Sequence, residues 1–197
     1  MRRWEFTGET KTVFGIVLHR IKASVTFTLK CGIKIEAGEL GGWIEKESNL
    51  DGDAWVYGDA WVFGDARVYG DACVYGDALV YGDACVYGDA RVYGDAWVSG
   101  NARVYGDARV SGDAHYLLIG RIGSRGDFTT FTRNKVGTIY VSCGCFYGTI
   151  AEFRAKVRET HGGSKHGRVY QAAADLAELQ IDTTPIEDEE VNGDAAD

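Results

Sequence analysis

The sequence predicts a mainly β chain whose middle is a coiled parallel β-solenoid, and three observations predict it. A six-residue unit, Gly-Asp/Asn-Ala-x-Val-Tyr in its dominant form, runs unbroken from Gly52 to about His115. Alanine recurs every six residues from Ala54 to Ala114, and valine does the same from Val56 to Val110. Glycine stands before each Asp or Asn of the units, where positive φ is needed at a corner. Small and branched apolar positions at a strict period of six are predicted to point into a narrow prism. The Asp or Asn side chains are predicted to bond nearby amides through each turn.

The residues around this run set the boundaries. Residues 1–42 are predicted to form an N-terminal β cap, with strands at Trp4–Phe6, Val13–Leu18, Ser24–Leu29 and Lys34–Glu36. Residues 43–115 form the solenoid, about thirteen hexapeptides, roughly four coils and about 20 Å long at strand spacing. Residues 116–181 read as a small α+β domain with strands at Tyr116–Ile119, Phe128–Arg133 and Thr138–Ser142. Thr149-Ile-Ala-Glu152 is a capping box that opens a first helix, ended by Gly162-Gly163. A second helix is predicted from about Arg168 to Leu179, with Val169, Ala173, Leu176 and Leu179 inward. Residues 182–197 are acidic and are expected to be disordered.

If each coil takes eighteen residues, outward side chains stack at i, i+18. One face then shows Trp61, Leu79 and Trp97, with Phe63 and Tyr81 beside them and His115 at the edge. Such an apolar strip is rarely left open on a monomer. It is predicted to be buried in a homo-oligomer or under the flanking segments. The other two faces show Arg67, Cys85 and Arg103, and Trp55, Cys73, Arg91 and Arg109, each with a tyrosine column.

Net charge is −8 over 197 residues, and it is segregated. Residues 43–115 carry five Lys/Arg against thirteen Asp/Glu, whereas residues 116–170 carry nine against three. The basic block holds Arg121, Ser124, Arg125, Thr129, Thr130 and Arg133, with His161, Lys165 and His166 between the helices. Arginine forks, hydroxyls and glycine-flanked amides suit an anion such as phosphate. The same residues could instead bridge to the acidic coils and tail. Nucleic acid is not expected, since no long basic stripe appears.

Cys143 and Cys145 with His161 and His166 offer a zinc set, although structural zinc sites more often use Cys-x2-Cys. Reduced structural cysteines are the plainer reading, and no cofactor is expected. Five cysteines without scaffold density point to a reducing compartment. With no signal-peptide pattern after Met1-Arg-Arg and no apolar run of membrane length, the chain is expected to be cytoplasmic.

Residues 43–115 resemble the hexapeptide-repeat proteins that fold as left-handed parallel β-helices. The resemblance implies three hexapeptides per triangular coil and a left hand, against the right-handed rule for parallel crossovers. Many such proteins are acyltransferases with a histidine base, and here only His115 lies near the coils. The lead-in Gly38–Glu47, and the block formed by Ile119–Arg133, Val141–Phe146 and Glu159–Gly162, resemble segments flanking such repeats in phage and prophage proteins. With that resemblance, the apolar coil face and the lack of catalytic residues, the chain is expected to be a non-enzymatic, oligomeric phage-type protein. It would capture an anionic, nucleotide-like molecule, as a counter-defence sponge sequestering host signals. A structural scaffold and a hexapeptide-class acyltransferase are the alternatives.

Overall fold

The eighteen-residue register expected from the hexapeptide spacing is present in every coil. The computed structural model describes residues 2–30 and 32–186. Trp61, Leu79 and Trp97 are parallel neighbours, as are Arg67, Cys85 and Arg103. The third column, Trp55, Cys73, Arg91 and Arg109, completes the prism. Each strand is short because a Gly-Asp turn follows within four residues. Strands β6 (Trp55–Val56), β9 (Cys73–Val74), β12 (Arg91–Val92) and β15 (Arg109–Val110) form one wall. Strands β8 (Arg67–Gly70), β11 (Cys85–Gly88) and β14 (Arg103–Val104) form the second. Strands β7 (Trp61–Val62), β10 (Leu79–Val80) and β13 (Trp97–Val98) belong to the third.

The valines from Val56 to Val110 and the alanines from Ala60 to Ala102 are fully buried. Burying one valine contributes roughly 1.5–3 kcal/mol, so the coil stack is its own core. Backbone amides bond the next coil, as from Trp61 to the Ala78 carbonyl at 2.9 Å and from Tyr81 to Val98 at 3.0 Å. The corner glycines are required by that stacking. At Gly76, φ is +71° and an added Cβ would lie 3.0 Å from the Gly94 amide nitrogen.

Two N-terminal hairpins fold down the sides of the prism. Strands β1 (Trp4–Val13) and β2 (Ile16–Ala23) pair antiparallel, and β2 pairs with β5 (Leu40–Ile44), which joins the third wall through β7. The expected strand Val13–Leu18 is in fact broken by a two-residue turn at Phe14-Gly15. Both central residues have positive φ, 53° and 79°, which suits the twist of the flanking strands. Strands β3 (Phe27–Thr28) and β4 (Lys34–Ile35) form the second hairpin. It covers Trp55, whose ring meets Phe27 edge-on at 5.4 Å and is fully buried.

After a single 3-10 turn at Asp113–His115, strands β16 (Tyr116–Ile122), β17 (Asp127–Arg133), β18 (Ile139–Cys143) and β19 (Phe146–Thr149) form an antiparallel sheet. Strand β19 was not expected from the sequence. It exists because Gly144-Cys145 alone make the turn between β18 and β19. Helices α1 (Ile150–His161) and α2 (Lys165–Gln180) pack on this sheet. Thr149 and Glu152 cap α1 reciprocally, as the sequence indicated.

Helix α2 starts earlier than expected, at an N-cap formed by Ser164. Its buried face is Tyr170, Ala173, Ala174 and Ala177, whereas Leu176 and Leu179 are exposed. The alanine side allows closer approach to α1 and the sheet, and it outweighs the larger leucines. Residues 182–186, placed with the acidic tail by composition, bond to the fold: the Asp182 amide donates to Ala114 and the Ile186 amide to Lys135. The remainder of the expected disordered segment, 187–197, lies outside the described residues.

Candidate functional site

The outward side of the third wall carries Trp43, Trp61, Leu79 and Trp97 in one column. The β1–β2 hairpin covers its first half. Lys11 Nζ sits 4.0 Å from the Trp43 ring centroid and 4.4 Å from that of Trp61, a double cation–π contact. Burial pushes the Lys11 ammonium below its ordinary value. Val13, Phe14, Ile16 and Leu18 line a narrow cleft against Trp61 and Phe63.

Beyond the hairpin the cover stops. Phe63 stacks on Tyr81 at 5.1 Å, Leu79 and Tyr81 are half-buried, and Trp97 is 54 % exposed. The Tyr116 hydroxyl donates to the Trp97 carbonyl at 2.7 Å and fixes the backbone there. Phe14, at the hairpin tip, is 89 % exposed, and Val17 is 45 % exposed. Leu79, Tyr81, Trp97 and the tip therefore form one rigid apolar surface. Turn residues Asp59, Asp77 and Asp95 run along one side of it, and Asp65, Asp83 and Asn101 along the other. Lys46 pairs with Asp65 at 2.7 Å, whereas Asp77, Asp83 and Asp95 form no ion pair among the described residues.

The other walls bear stacked tyrosines. Tyr57, Tyr75 and Tyr93 stack at 4.8 and 5.0 Å, and Tyr69, Tyr87 and Tyr105 at 4.8 and 4.5 Å. Burial pushes the Tyr75 phenol up to about 12. Tyr147 of β19 extends the second stack, 3.8 Å from Tyr105, and joins the C-terminal sheet to the prism.

The residues expected to hold an anion are not brought together. Arg121, Ser124 and Arg125 are exposed on the β16–β17 loop and its strand edge. Thr129 is buried and donates to Cys143 Sγ at 3.3 Å. Thr130 is buried and accepts the Arg103 amide of the last coil at 3.0 Å. Arg133 is 4 % exposed and donates to the carbonyls of Asp182 and Thr184. His161, Lys165 and His166 lie where α1 passes into α2, with the His161 ring 5.6 Å from that of Tyr170. Strand β17 is buried along most of its length because one side faces the helices and the other closes the last coil. Its residues serve the fold.

No group of three or more metal-binding side chains occurs among the described residues. Cys145 stands exposed in the β18–β19 turn, and the rings of His161 and His166 are 6.3 Å apart. His115, the acyltransferase candidate, accepts at Nδ1 from the Ser111 amide at 3.1 Å. Arg133 Nη2 lies 3.4 Å from the same nitrogen. The Ser111 amide and Arg133 are both donors, which assigns the proton to Nε2, and with the Ser111 hydroxyl 2.9 Å from Nδ1 they occupy the lone pair a general base would use. Burial, and then the charge of Arg133, hold the imidazole below its ordinary value.

Sequence reasoning missed Lys11 and Phe14, the two hairpin residues that shape the apolar surface. Gly15 within Val13-Phe-Gly-Ile-Val17 was the available turn signal.

Coil, register and buried Val/Ala prism define a β-solenoid repeat protein. A family model described as the YdcK beta solenoid repeat matches residues 66–82, 84–100 and 102–115, segments that begin one coil apart. No curated protein and no solved structure matches the chain. No helix among the described residues is long and apolar enough to cross a membrane.

Proposed function

We propose that this chain is a non-enzymatic structural protein that assembles with further copies of itself through the third wall of its solenoid. The observation that carries this reading is Trp97, a large aromatic 54 % exposed on the third wall beside Leu79 and Tyr81. Aromatic anchors at the centre of a flat patch are the usual energetic core of an interface. A twofold axis through the strip would bury Trp97 of each copy and leave the aspartate columns hydrated at the rim. Trp97→Asp is expected to abolish assembly, measured by sedimentation velocity. An unchanged sedimentation coefficient would contradict the proposal. We take the coil to be left-handed, as the resemblance implies, and of the hexapeptide class, which three hexapeptides per eighteen-residue coil support.

The second reading is capture of a nucleotide-like anion, with a counter-defence role in a phage. It is favoured by the exposure of Arg121 and Arg125 on a glycine-rich loop. It requires nucleotide binding, measured by titration calorimetry, that is lost in the Arg121→Ala/Arg125→Ala double variant and unaffected by Trp97→Asp.

A further inference from the structure

The β18–β19 turn brings two thiols, a guanidinium, a phenol and a hydroxyl to one place, of which the readings above use only the guanidinium, Arg125. Cys143 ends β18, half-buried, and Cys145 is exposed two residues beyond it. Arg125 Nη2 donates to Cys145 Sγ at 3.8 Å. Cys143 Sγ accepts from Thr129 Oγ1 at 3.3 Å, and Cys143 packs against the cluster to which Tyr170 of α2 belongs. The residue between them is glycine, and its φ of +60° lies in the left-handed region that favours it; the Arg125 guanidinium lies across the turn at this point. From the other side, Arg103 Nη1 of the last coil donates to the Gly144 carbonyl at 3.4 Å.

The remaining described cysteines lack this arrangement. Cys73 is buried in the prism, and Cys85 has no second cysteine in its register, where Arg67 and Arg103 flank it.

We propose that Cys143-Gly144-Cys145 is a thiol–disulfide exchange site for a small disulfide of the glutathione type. In the exchange, the Cys145 thiolate, facing the Arg125 charge, attacks one sulfur of RSSR. The S–S bond breaks, and RS⁻ leaves and takes a proton from solvent. Cys143 then gives up its proton and attacks Cys145 Sγ in the mixed disulfide, releasing the second RS⁻, which is protonated in turn. The protein dithiol is oxidised to the Cys143–Cys145 disulfide, and RSSR is reduced to two RSH. Thr129 holds Cys143 behind the turn as the resolving thiol, and Cys145 is the sulfur that solvent reaches.

The test uses the full chain with Cys31→Ser and Cys85→Ser, equilibrated in mixtures of reduced and oxidised glutathione. Free thiols are then alkylated, and the peptide spanning residues 143–145 is weighed. The expected result is reversible loss of two hydrogens as the oxidised fraction rises. With Cys143→Ser added, a glutathione adduct should accumulate on Cys145. Arg125→Ala should slow adduct formation by roughly tenfold, and Arg125→Lys should restore most of the rate. Arg125 is exposed, so that pair of variants reads the chemistry apart from folding. Two thiols that stay free in fully oxidised glutathione would overturn the proposal. Adduct formation indifferent to the charge at position 125 would overturn the role of Arg125.

Discussion

Arg133 Nη1 donates to the Thr184 carbonyl at 2.7 Å and to the Asp182 carbonyl at 3.3 Å, binding the C-terminal segment to the end of strand β17. An arginine expected to meet a ligand is instead a buried clasp. Arg133→Ala should cost roughly 2–4 kcal/mol in urea unfolding, because two carbonyls lose a charged donor and a large side chain leaves a buried position. A change under about 0.5 kcal/mol would show that the clasp contributes little.

His115 gives the fold a pH dependence. Its folded-state value is lowered from 6.5, so the unfolded chain binds the proton more readily. The contribution to stability is complete above about pH 6.5 and is lost as pH falls through the folded value. Protonation would place a cation against Arg133 and remove the acceptor used by the Ser111 amide. His115→Gln should flatten the fall in thermal stability as pH drops below about 6.5, as measured by calorimetry. A wild-type profile already flat there would refute this role.

Phe14 is the only non-glycine residue with positive φ among the described residues. Asparagine tolerates that conformation better and favours this two-residue turn. Phe14→Asn should therefore stabilise the monomer by about 0.5–1 kcal/mol. If the tip contributes to assembly, the same variant should weaken self-association. Greater stability with undiminished association would remove Phe14 from the interface.

Gly76→Ala tests the stacking at the corners. A left-handed conformation costs an L residue roughly 1–2 kcal/mol, and the new Cβ would also press on Gly94 of the next coil. Destabilisation of at least that size is expected in chemical unfolding. Neutral behaviour would mean that the coils can shift apart at little cost.

The solenoid was legible because its constraint is local and repeated. Ala and Val at fixed sixth positions fill a prism, and Trp61, Leu79 and Trp97 align in the register that spacing implies. The C-terminal block was less legible because strand β17 is buried on both sides. No alternation then marks Thr129, Thr130 and Arg133 as structural, and polar residues that close the end of a coil resemble ligand-binding ones. Helix α2 misled for a related reason: its contact face uses Ala174 and Ala177, and the larger Leu176 and Leu179 remain in solvent. The apolar face was readable as a strip, but the partial cover from Lys11 and Leu18 depends on a turn at Phe14, a residue that turns of this kind seldom use.

The most direct test of the assembly proposal is light scattering on the wild-type chain and on Trp97→Asp, across a range of concentration and salt. The account predicts a wild-type mass that is a multiple of 21.5 kDa and a variant mass of one chain. It also predicts wild-type association that strengthens with salt, as the aspartate columns at the rim are screened. A wild-type chain that stays monomeric at every concentration and salt would contradict it.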